Sequence, residues 1–192
     1  MIKSPKKLEK NLGFKLRDNV FCLAIDTATK SGIAMISIFK KKLWIKTFII
    51  HLPALPKDLE DKNEKYDAHL ESFLKLIRKE VKTQLSNPEG VTMLLVLENS
   101  FLKMNVVTFG FLRALQGIAY AELYDRFNER KIIFPVTARK LVGFQSHLPK
   151  GSKGKDKKKE IMRWISNVVE EKIIDDNIAD ALLLAFAGLK EE

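Results

Sequence analysis

Two apolar runs, "VFCLAID" at residues 20–26 and "VTMLLVLE" at residues 91–98, constrain this chain more than anything else in it. The first ends on Asp26 and the second on Glu98, with no charge before either acid. Strand-length runs without polar alternation belong in the middle of a sheet covered on both faces, the habit of α/β folds. If the two strands pair in parallel, both acids emerge at the same edge. Ligands of open α/β sheets bind beyond the carboxyl ends of the strands, so the pair marks a carboxylate site there. For either acid alone, a plain strand-end or turn role serves equally well.

The other elements fall around these two. After "TATKS" come "GIAMISIF" and "LWIKTFIIHL", which with the first run read as three strands joined by short connections, hence antiparallel neighbours. From Tyr66 through Leu70, Phe73, Leu74, Ile77, Val81 and Leu85 the apolar positions keep helical spacing until "NPEG" stops them. Beyond Glu98 the pattern predicts a long helix over about 106–127, a short strand "KIIFPV", a helix at "TARKLVGF", a polar loop and two closing helices. The fold class is therefore α/β, a mixed five-stranded sheet whose first three strands are antiparallel, flanked by helices. With 192 residues there is room for one sizeable core: a single domain over 20–192 after a basic segment, 1–19.

Charge narrows the partner. The net charge of +10, mostly lysine, favours a polyanion whose counterions binding releases. No basic amphipathic helix offers itself to a membrane surface, so nucleic acid is the expected partner. No run is long enough to span a bilayer, the charged opening lacks the apolar core of a secretory signal, and Cys22, the only cysteine, reads as core. A cytoplasmic protein is expected. His51, His69 and His147 lack metal-ligand spacing, and His69 falls on the polar side of its helix, as a surface residue would.

The segment "IIDDNIADALLLAFAGLK" poses a sharper problem. From Ile178 to Leu189 it is apolar almost all round, the pattern of a buried helix, yet it contains Asp180. An ion removed from water costs several kcal/mol or more unless paired, so this acid needs a cleft or a cation. Asp176 and Asp180 are four residues apart and share a helical face, and Asn177 lies close to it. Asp175 and Asp176 also suit an N-cap and first turn; Asp180 is too deep for that. If the helix crosses the edge where Asp26 and Glu98 emerge, the acids form a site of hard oxygen donors of the kind Mg²⁺ or Mn²⁺ prefers.

The ordered set "LAIDTATKSGIAM", "LVLENSF" and "DNIADALLLA" resembles the RuvC-like Holliday junction resolvases of the RNase H-like superfamily, over nearly all of the chain from about Phe21. The resemblance implies an RNase H-like fold and a homodimeric endonuclease that hydrolyses phosphodiester bonds in four-way junctions and other branched DNA, with two Mg²⁺ (or Mn²⁺) ions per active site. It assigns Asp26, Glu98 and Asp180 as metal-binding catalytic acids. For the remaining catalytic, metal-binding acid it points to Asp176, with Asn177 as a weaker oxygen ligand in its place or beside it. It also makes Phe101 a wedge at the junction centre, where stacking on a base contributes roughly 1–3 kcal/mol, although Phe101 also fits as core. Lys157, Lys158 and Lys159, in "LPKGSKGKDKKKEIMRW", match the family's DNA-binding loop and helix. The small size, the divergent third acid and the lysine-rich ends suit a phage or a low-GC bacterium; for a phage member the host cytoplasm is the expected location. Two further readings stay open: an RNase H-like nuclease acting on RNA–DNA hybrids, and a protein that binds branched DNA without cutting it, if Asn177 has disabled the site.

Overall fold

β1 (Val20–Asp26) and β4 (Thr92–Glu98) lie side by side and parallel, with Val20 opposite Thr92 and Ile25 opposite Leu97. The computed structural model describes residues 4–54, 62–86, 88–99, 106–149 and 153–191. Both strands are central because β2 (Lys30–Phe39) covers the free edge of β1 and β5 (Glu129–Ile133) that of β4. With β3 (Lys42–His51) pairing antiparallel to β2, the strand order is β3-β2-β1-β4-β5. The expected mixed sheet is therefore present, its first three strands antiparallel and its last two added in parallel.

Alternate residues of each central strand feed two hydrophobic layers. Leu23, Ile25, Leu95 and Leu97 face a layer completed by α2 (Lys62–Leu76), the turn that follows it and α3 (Val106–Leu123), through Phe73, Ile77, Leu115, Ala119 and Leu123. Cys22, Ala24, Leu94 and Val96 face the other, formed by α6 (Asp176–Leu189), α5 (Gly154–Val169) and α4 (Pro135–Leu141). Coverage on both faces is what uninterrupted apolar strands demand, since each buried Leu or Ile contributes about 1.5–3 kcal/mol. Cys22 is fully buried, and burial pushes its thiol pKa up.

α6 is the axle of the second layer. It lies on β1, β2 and β4, and every residue from Ala181 to Leu189 is buried. Small residues let it approach closely: a Cβ at Gly188 would stand 2.5 Å from Val96 Cγ2. The opening segment joins this layer. α1 (Pro5–Leu12) buries Leu8 and Leu12, and Leu16 follows them into the core. Arg17 then clamps Glu129 of β5 through two bonds of 2.6 and 2.7 Å, and its N–H donates to the carbonyl of Leu189 at 2.9 Å.

Three local departures from expectation have physical causes. The helix after Tyr66 does not run evenly to Leu85: it loosens into a π turn at Ile77–Val81 and tightens into a 3₁₀ turn at Lys82–Gln84. There the Thr83 hydroxyl donates to the Lys79 carbonyl and the Gln84 amide to that of Glu80, so side chains compete for the last carbonyls. The strand in "KIIFPV" stops at Ile133, and Pro135, with no N–H to give a sheet, opens α4 instead. His69 is not a surface residue. It is half-buried between α2 and α3, its ring edge-on to Phe111 at 5.9 Å and its Nδ1 buried.

Candidate active site

Three elements bring four acids to one end of the sheet. Asp26 and Glu98 are the last residues of two parallel strands, so their side chains leave the sheet together. α6 begins over the same end, with Asp176 in its first turn and Asp180 one turn further in.

The start of α6 is held by contacts to β2 and the turn before it. Asp175 is its N-cap, accepting from the backbone N–H of Asn177 and from the Asn177 side-chain amide, both at 3.0 Å. Lys30, at the start of β2, ion-pairs with Asp175. The turn between β1 and β2 is closed by Ser31, whose hydroxyl donates to the Ala28 carbonyl at 2.7 Å and accepts from the Ala28 N–H at 3.0 Å. Gly32, directly opposite Asp26, removes the last obstacle. A Cβ there would stand 1.9 Å from the carbonyl oxygen of Asn177, so only glycine lets the first turn of α6 settle over the strand.

The acids act on one another. Asp26 is 8 % exposed and hydrogen-bonded to Glu98. Burial first, then the bond and charge of Glu98, hold Asp26 well above the usual carboxylate range. Glu98 is raised as well, chiefly by burial, while its bond to Asp26 pulls the other way. Asp180 is pushed up to about 6 by burial and by the charge of Asp26, against the opposing pull of Arg139 and Lys158.

Two cations answer this charge. Lys158 of α5 bonds to Asp176, and that bond raises its own pKa. Arg139 of α4 brings Nη2 to 3.7 Å from Asp180 Oδ1, while its Nε is buried with no partner among the described residues. Asp180 therefore has a cation of the kind that an acid in an apolar helix requires. Arg139 was not legible in the sequence, because nothing in "TARKLVGF" indicates which side of a short helix meets α6.

The donor set suits a hard divalent cation, since every acid offers carboxylate oxygens; among the described residues Asp176 is paired with Lys158 and Asp180 with Arg139. It is not a closed ligand shell as it stands. Among the described residues no three His, Cys, Asp or Glu side chains converge enough to hold an ion, since Asp176 is occupied by Lys158 and Asp180 is drawn to Arg139. Asn177 spends its amide on Asp175. Lys157 and Lys159 are exposed on the first turns of α5, and Lys157 lines a cleft of about 390 Å³ with Arg139, Lys140 and Phe144. Phe101 lies outside the described residues.

An open mixed sheet in this order, with a helix that begins over the carboxyl ends of its two central parallel strands and packs along one face, is the RNase H-like fold. Within that class the chain is similar to solved structures of RuvC. The structure of Thermus thermophilus RuvC in complex with Holliday junction substrate superposes with a TM-score of 0.54 at 11 % identity, over 87 % of this chain and 91 % of that one. A second Thermus thermophilus RuvC structure gives 0.50 at 14 % identity, over 87 % and 92 %. At such identities the likeness is one of fold. No family model matches the chain, and no curated protein matches it in sequence.

Proposed function

We propose that this protein is a metal-dependent, structure-selective endodeoxyribonuclease that resolves four-way DNA junctions and other branched DNA. One observation supports the reading: in a RuvC-like fold, Asp26 and Glu98 end the two central parallel strands, and the helix that carries Asp176 and Asp180 begins over the same end. Those four side chains would hold Mg²⁺ or Mn²⁺, two ions per site. Bound there, the ions would polarise the scissile phosphate and activate the attacking water.

The chain's own groups do the rest. Asp26 and Glu98 would offer carboxylate oxygens to the cation from the ends of β1 and β4. Lys158 and Arg139, which balance Asp176 and Asp180 in the structure, offer their charge to the phosphate that enters between α4, α5 and α6. Lys157 and Lys159 attract the flanking backbone. Phe101 is the wedge at the junction centre. Two copies are needed to cut a four-way junction symmetrically, so the working form is a homodimer. Its location is the cytoplasm. Among the described residues no helix is long and apolar enough to cross a membrane.

The test is cleavage of end-labelled four-way junction, fork, linear duplex and RNA–DNA hybrid, with and without Mg²⁺ or Mn²⁺. Paired symmetric cuts in the junction that need metal, and that Asp26→Asn and Asp180→Asn abolish without loss of junction binding, are expected. Cutting confined to the hybrid would make it an RNase H-type enzyme. Binding without cutting would make it a junction-binding protein in which Lys158 and Arg139 permanently occupy the acids.

A further inference from the structure

The sheet carries a second surface at its opposite end. On the face that α2 and α3 cover, the buried row Leu23–Met35 gives way to an open one in which Phe21, Ser37 and Trp44 stand side by side across β1, β2 and β3. The next row pairs Phe39 with Lys42. Trp44 is 47 % exposed, and Phe21 and Phe39 are half-buried. Lysines frame the rings. Lys40, in the β2–β3 turn, holds its ammonium 5.1 Å from the centre of the Phe39 ring, and Lys46, two residues along β3 from Trp44, bonds to Gln84 and lies 5.8 Å from the centre of the Phe48 ring. Among the described residues none of Lys40, Lys42 and Lys46 is in an ion pair with an acid.

We infer that this aromatic and lysine face binds unpaired bases of a nucleic-acid strand. The rings explain the base: an exposed aromatic face gains most from a base whose own face is free, which a duplex does not offer. The lysines explain the strand, since they are placed to meet its phosphates as the bases cross the sheet. A second copy of the chain is disfavoured, because two lysine-studded β3 edges on a molecule of net charge +10 repel. Phe21 and Asp26 are five residues apart on β1, about 17 Å at strand rise. This surface is therefore separate from the acids, and the inference does not rest on the proposed cleavage.

Trp164→Phe leaves Trp44 as the only tryptophan. With EDTA present, a short oligothymidylate should quench its emission saturably, and a duplex of equal length should not. By anisotropy of a labelled oligothymidylate, Trp44→Ala should weaken binding about tenfold, and Lys42→Glu should weaken it as well. Asp26→Asn should keep the quenching, and Trp44→Ala should keep any junction cleavage, so the two readings fail separately. The inference is overturned by absent quenching, by equal quenching from the duplex, or by unaltered affinity in Trp44→Ala. Quenching that follows protein self-association in sedimentation also overturns it, in favour of a second copy.

Discussion

At the scale of single residues, the site depends on a position with no side chain. Gly32 sits opposite Asp26, and the peptide of Asn177 fills the space where a Cβ would be. Gly32→Ala must push the first turn of α6 off the strand or strain both. Overpacking of this kind costs about 1–3 kcal/mol, which thermal or urea denaturation will read. Gly110→Ala is the control: it lies in α3 with nothing within 4 Å of a Cβ, and should hold or raise stability by about 0.5–1 kcal/mol through helix propensity. A loss at Gly110 equal to that at Gly32 would sink the steric account. Asp180 shows the limit of residue-level reading. Its cost was visible as an acid among apolar neighbours, but its partner was not, because Arg139 lies 41 positions away on a helix whose facing is set by packing.

At the scale of elements, α2 and α3 are tied together by one carboxylate. Glu122 of α3 receives Arg78 at 2.9 Å and Lys82 at 2.7 Å, both from the irregular turns that follow α2. These bonds hold its pKa down to about 2. The group is depressed on folding, so its contribution is fully present above the unfolded value of about 4.3 and is lost as pH falls through about 2. Glu122→Gln should therefore lower the urea midpoint at pH 6, with the gap to the unsubstituted protein closing between about pH 4.3 and 2. A gap that is constant with pH would mean the pair contributes nothing through charge. The turn irregularity itself was not legible, since apolar spacing reports a helical face and not the competition of Thr83 and Gln84 for its carbonyls.

At the scale of the whole molecule, charge is the property that binding must reveal. With a net charge of +10 and lysines on the first turns of α5, affinity for DNA should fall steeply with salt. Each phosphate contact contributes about 0.9 to the slope of log K against log salt. Lys157→Glu with Lys158→Glu should therefore flatten that slope by about two; an unchanged slope would remove α5 from the DNA interface. The sequence by itself determined the sheet, because two charge-free runs have no stable place except between covered faces, and their terminal acids had to emerge where parallel strands end. Hydrophobic periodicity is local and needs only its own segment to be read. What only the tertiary structure decided was how charges far apart in the chain meet: Lys158 with Asp176, Arg139 with Asp180, Lys30 with the α6 N-cap, and a glycine in β2 with a peptide in the last helix. Such pairings depend on the rotation and approach of packed helices, which close packing of the whole core sets and no single segment encodes.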